Sequence, residues 1–276
     1  MLDGVILLWF VLAALAVAFV AIDIRDTPES PVLKWGFVLL TAYTGVVGAF
    51  LYVLGCREPL PGTHEEYTAA RWRQTLGSTM HCVAGDGVGI LVGAVLSSLL
   101  GLTGLAEVAL EYLLGFGFGW TIFQALFMRE AAGGSYSVAL RRTFIPELLS
   151  MNLLMAGMVP TAMILRRHVD LAADPAHARF WFVMSMALLV GFIVAYPMNW
   201  WLVANHLKHG MMTVRPKKDA GGTTMSTGSD GRMAMGGGGM AGMAMEGAQK
   251  SSPSVATMSV LSFAALAVGL ALAFVV

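Results

Sequence analysis

The sequence predicts an all-α fold, a polytopic membrane helix bundle of seven transmembrane helices, six plus an extra carboxy-terminal anchor. Three observations predict it. Of 276 residues, 57% are hydrophobic and only 12% charged, with a mean hydropathy of +0.72; a water-soluble domain carries roughly 25% charged residues. Apolar stretches recur at about 20 residues, enough to cross a hydrocarbon core of roughly 30 Å as helix. These stretches run continuously and do not alternate, which excludes a β-barrel. The balance of 17 Lys+Arg against 17 Asp+Glu excludes a global basic field for nucleic acid. Two cysteines exclude a disulfide framework.

The expected spans are 5–21, 32–54, 80–102, 105–127, 146–165, 180–202 and 255–276. The first opens Met1-Leu2-Asp3-Gly4, without a basic segment, and closes Asp23-Ile24-Arg25-Asp26, without a small-residue cleavage site. It is therefore expected to be a retained anchor. The chain divides into two amino-terminal helices with their loop (1–74), a four-helix core (75–212), a Gly/Met-rich loop expected to be disordered (213–254) and the last helix (255–276). Loops after the second, fourth and sixth spans hold twelve Lys and Arg, against five elsewhere: Arg25, Lys34, Arg166, Arg167 and Arg179. The positive-inside rule then puts this multi-pass protein in the plasma membrane with its amino terminus and long loop cytoplasmic and its carboxyl terminus outside.

Polar side chains inside spans are costly and usually face the bundle interior. In the third span Cys82 and Asp86 are four apart and share a face, with His81 beside them. Imidazole, sulfur and carboxylate within two turns suit copper or zinc. Gly85, Gly87, Gly89 and Gly93 are expected to admit a neighbouring helix. In the fifth, Pro146-Glu147 reads as a helix start, so Glu147 is expected to be structural. Met151, Met155 and Met158 form one stripe, and the Met151/Met155 spacing aims two thioethers at one ion. The sixth closes on Pro197-Met198-Asn199-Trp200-Trp201, with Lys208 as a snorkelling anchor and His206 and His209 three apart. The parity of the spans places His81, Cys82, Asp86, Glu147, Met151, Asn152, Met198, Asn199 and His206 in one leaflet, with Cys56 at its edge. Glu107 and Glu111 fall at the opposite face, as helix-start carboxylates.

Certain of these elements resemble a family. His81-Cys82-x-Ala84-Gly85-x-x-x-Gly89, Gly117-Phe118-Gly119-Trp120, Arg142-Thr143-Phe144, Tyr196-Pro197-Met198-Asn199-Trp200-Trp201-Leu202-Val203 and Lys208-His209-Gly210-Met211 resemble the bacterial membrane family catalogued as domain of unknown function 4396, over about residues 75–212. The resemblance implies a copper-related role. It also implies a second cysteine in many members where this chain has Asp86.

The leading functional expectation is a copper(I)-binding or copper-transport membrane protein. Eight of 19 methionines fall between Met211 and Met245, including Met233, Met235, Met240, Met243 and Met245, in a Gly-rich segment suited to capturing Cu(I). The candidate metal set is these five with His81, Cys82, Asp86, Met151, Met155, Met198, His206 and His209. A copper chaperone or other membrane subunits are the expected partners beside the lipid bilayer, with no nucleic acid. Thioethers suit an oxidising exterior, whereas the basic residues put the loop in the cytoplasm; the two inferences conflict. The alternatives are a non-metal scaffold or accessory subunit, and a haem carrier using His81 and His206. No phosphate loop, nucleophile elbow or His-Glu-x-x-His pattern points to an enzyme.

Overall fold

Ser30 caps a helix by accepting a hydrogen bond from the Leu33 amide, and Pro31 occupies its first turn. That helix, α2 (Pro31–Thr44), follows α1 (Leu2–Asp23) and stops at Gly45, whose φ of +59° only glycine adopts without strain. The computed structural model describes residues 1–129, 134–211 and 252–275. Beyond Gly45, α3 (Val46–Gly55) folds back along α2. Phe37 and Tyr52 stack edge-on at 5.5 Å, and a Cβ on Gly48 would lie 2.6 Å from Thr41 Cα. Thr41 and Thr44 donate their hydroxyls to carbonyls one turn back, so the apex carries its polar groups satisfied.

This corrects the second expected span. The stretch 32–54 is long enough to cross a bilayer as one helix, but it folds as two helices of 14 and 10 residues that double back on each other. Two ion pairs agree with a hairpin. Asp23, ending α1, takes a two-pronged hydrogen bond from Arg57, just past α3, at 2.9 Å on each oxygen. Asp3, opening α1, pairs with Arg179, which precedes the sixth expected span, although a seven-span count puts them on opposite sides. Among the described residues six helices are long and apolar enough to cross a membrane.

The short α4 (His64–Thr68) leads into α5 (Arg71–Leu100). The next crossing is α6 (Leu105–Phe118), a π-helical turn over Gly119–Gln124, and α7 (Ala125–Met128). Then come α8 (Tyr136–His168), α9 (Ala178–Ala204) and α10 (Val255–Val275). Helix α5 is the axis. Its glycines work as packing residues, as expected: a Cβ on Gly89 or Gly93 would run into the α6 backbone, on Gly85 into Phe123, and on Gly87 into Tyr43. Helix α10 lies on α8, with Gly269 against Ala156 and Ser262 receiving the Asn152 amide.

Helix α8 starts ten residues before Pro146, so this proline is interior and Glu147 is not a helix-start carboxylate. The expectation that Glu147 caps a helix is overturned. It lies in mid-bundle, fully buried.

Candidate functional site

Cys82 on α5 is the centre of the site. It is fully buried and donates to Glu147 Oε2 on α8 at 2.9 Å, while the Gln124 amide donates to its sulfur at 3.0 Å. Gln124 ends the π-helical turn, the kind of local widening that re-aims a side chain. A fourth element then enters. The Lys208 ammonium contacts Cys82 Sγ and donates to Glu147 Oε2 and Asn199 Oδ1, each at 3.1 Å. Asn199 is oriented by its own amide, which donates to Ser150 Oγ at 2.8 Å and to the Ala195 carbonyl.

The backbone explains how Lys208 reaches this place. Helix α9 ends in a Schellman turn: Leu207 N–H donates to Leu202 O, His206 N–H donates to Val203 O, and His206 takes the left-handed position at φ +58°. The turn reverses the chain and drives Lys208 back into the bundle, where it is 6% exposed. The snorkelling reading is corrected accordingly. Burial works against the Lys208 ammonium, but Cys82 and Glu147 beside it hold its pKa above the usual lysine range.

Asp86, one turn beyond Cys82, meets Glu147 across Gly119. A Cβ there would overlap Asp86 Oδ1 and come within 2.8 Å of Glu147 Oε1. Apart from each other, the Asp86 oxygens and Glu147 Oε1 have no hydrogen-bond partner. Three acidic groups thus share one ammonium in a buried setting, an arrangement that stays near neutrality only by holding protons or admitting another cation.

Of the residues singled out from sequence, Cys82, Asp86, Glu147 and Asn199 converge. Met151 lies next along: its methyl and the Asp86 carbonyl both flank Gly115. His81 is buried, its ring against Phe123 and Phe127, and its Nε2 has no partner. It lines a crevice with Gly77, Ser78, Gln124, His209 and Gly210, of about 10 Å³, room for roughly one water. Met155 belongs to the apolar core, Met198 packs with Leu149 and Leu202, and His206 faces outward. Asn152 is taken up by Tyr112 and Ser262. Met233, Met235, Met240, Met243 and Met245 lie outside the described residues. Lys208 and Gln124 were not foreseen; only their position in the segment of family resemblance could have drawn attention to them.

Fold and site together define a helical protein whose long helices are apolar enough to cross a membrane, with a buried thiol, two carboxyls and a lysine gathered between them. The chain belongs to the family described as domain of unknown function DUF4396, whose profile matches residues 71–208, from the first residue of α5 to Lys208. Comparison with curated proteins and with solved structures gives no match.

Proposed function

We propose that this protein carries a soft monovalent cation, copper(I), at Cys82 and Glu147, in exchange for the Lys208 ammonium and protons. The observation that carries the reading is the place of Lys208. A lysine borne on a turn, not on a helix, sits where a sulfur, a carboxylate oxygen and an amide oxygen converge, and all three are cation ligands. Withdrawing the turn leaves an anionic site whose charge one monovalent ion replaces. Sulfur from Cys82, with the Met151 thioether one turn along, favours Cu(I) over alkali ions. The small crevice beside His81 and His209 has Gln124 in its wall, and the Gln124 amide donates to Cys82 Sγ.

The hairpin sharpens the sidedness. With α2 and α3 on one side, all of the 17 Lys and Arg except Arg166, Arg167 and Arg179 fall on the side of the long loop. That supports a cytoplasmic loop, and it moves the start of α1 to the outside, with the end of α10, reversing the expected amino-terminal orientation. Haem finds less support, because His206 faces outward and the crevice beside His81 holds about one water.

Competition against a chromogenic Cu(I) chelator tests the proposal on purified protein. Lys208→Met is expected to bind Cu(I) about tenfold more tightly than wild type, a difference of about 1.4 kcal/mol, and Cys82→Ser to bind none. If neither wild type nor Lys208→Met competes with the chelator, copper is not the cargo.

A further inference from the structure

Outside the family segment, the hairpin brings together three side chains that are distant in sequence. Glu29 lies in the linker before α2, Cys56 just past α3 and His64 at the start of α4. One ligand atom from each lies within 4.8 Å of the other two. Glu29 is 4% exposed, and Cys56 and His64 are fully buried. Among the described residues this is the one set of three His, Cys, Asp or Glu side chains that comes this close. Cys82, Asp86 and Glu147 do not.

We propose that Glu29, Cys56 and His64 bind a zinc ion, which clamps the hairpin to α4. His64 Nε2 and Glu29 Oε1 are 3.7 Å apart, too far to hydrogen-bond to each other. They are near the separation of about 3.4 Å that two ligands take on a tetrahedral ion with bonds of about 2.1 Å. Charge selects the ion: a thiolate and a carboxylate cancel a divalent cation, and the imidazole binds neutral. A monovalent ion would leave a buried negative charge. Sulfur, nitrogen and oxygen together suit zinc among the divalent ions and do not suit magnesium or calcium.

The three carriers are held in place independently of any ion. Tyr52 donates to Asp23, which Arg57 also grips, and Thr27 Oγ1 lies 3.0 Å from the Tyr52 hydroxyl; this fixes the Glu29 linker against the end of α3. On the other side Glu58 accepts from the Gly62 and His64 amides, and Thr68 donates to the His64 carbonyl. Such outer partners are what orient metal ligands. This site is separate from Cys82 in residues and in ion, so the two proposals stand or fall apart.

The test is metal loading of the purified full-length protein with Zn²⁺ and with Co²⁺ as a spectroscopic probe. One zinc per chain is expected, with a thiolate-to-cobalt charge-transfer band that persists in Cys82→Ser and vanishes in Cys56→Ser. His64→Ala is expected to lower zinc affinity at least tenfold. Absence of the band in the wild-type protein overturns the proposal without relying on a variant that folds poorly. A band that survives Cys56→Ser, or disappears with Cys82→Ser, overturns it equally.

Discussion

The bundle holds two clusters that tie α8 to a neighbouring element through a buried carboxylate and a cation, and they differ in their charge balance. Toward one face, Arg166 on α8 pairs with Glu107 on α6 and lies 4.0 Å from Glu111, the three side chains 6–13% exposed. Toward the other face, Lys208 meets Glu147, at 4% and 0% exposure, with Cys82 and Asp86 added. Arg166 is a fork whose donors meet two carboxylates side by side, a fixed clamp at the rim. Lys208 is a point charge on a turn, serving more acids than it can neutralise. Arg166 and its two carboxylates are close to charge balance, whereas the Lys208 site holds more acidic groups than its one ammonium can balance.

Substitutions sharpen that contrast, and the largest effect belongs to the deeper site. Lys208→Met should cost about 4 kcal/mol of stability by stranding Glu147, and the double variant Lys208→Met/Glu147→Gln should recover most of it. Arg166→Met, at a more hydrated rim, should cost about 2 kcal/mol. Denaturant titrations in detergent compare them; equal losses would erase the distinction. Gly119→Ala comes next. Its Cβ must displace Asp86 from Glu147, which should cost about 2 kcal/mol and weaken Cu(I) competition without touching the thiol. The smallest effect is His206→Gly. Relief of the left-handed backbone should raise stability by less than about 1 kcal/mol, because glycine also gains freedom in the unfolded chain. A clear loss would mean that the His206 ring matters more than its backbone.

Much of the candidate site was legible from residue spacing. Cys82 and Asp86 share a face because four residues make about one helical turn, and the order of spans puts α5, α8 and α9 polar groups in one leaflet. The lost span precedes α5, so the order of crossings from α5 to α9 is unchanged, which is why the grouping survived. What misled was punctuation. Pro146 beside Glu147 has the form of a helix start, yet a membrane helix tolerates an interior proline where packed neighbours surround it. The stretch 32–54 has the length of a span, and Thr44-Gly45 at its middle was its one signal of a turn. Lys208 had the composition of an interfacial anchor, and sequence does not tell which way a chain leaves a helix.

Composition and periodicity by themselves determined an all-helical chain with helices apolar enough to cross a membrane, because a chain so poor in charge cannot cover a soluble core and helices satisfy their backbone in hydrocarbon locally. They also determined the glycine edge of α5, since a missing side chain permits close approach whatever helix arrives. Only the tertiary structure decided that α2 and α3 double back and that Lys208 turns inward. Each depends on one residue with positive φ, Gly45 or His206, and a local reversal has no hydropathy signature. Those two reversals place Glu29 beside Cys56 and a cation beside Cys82.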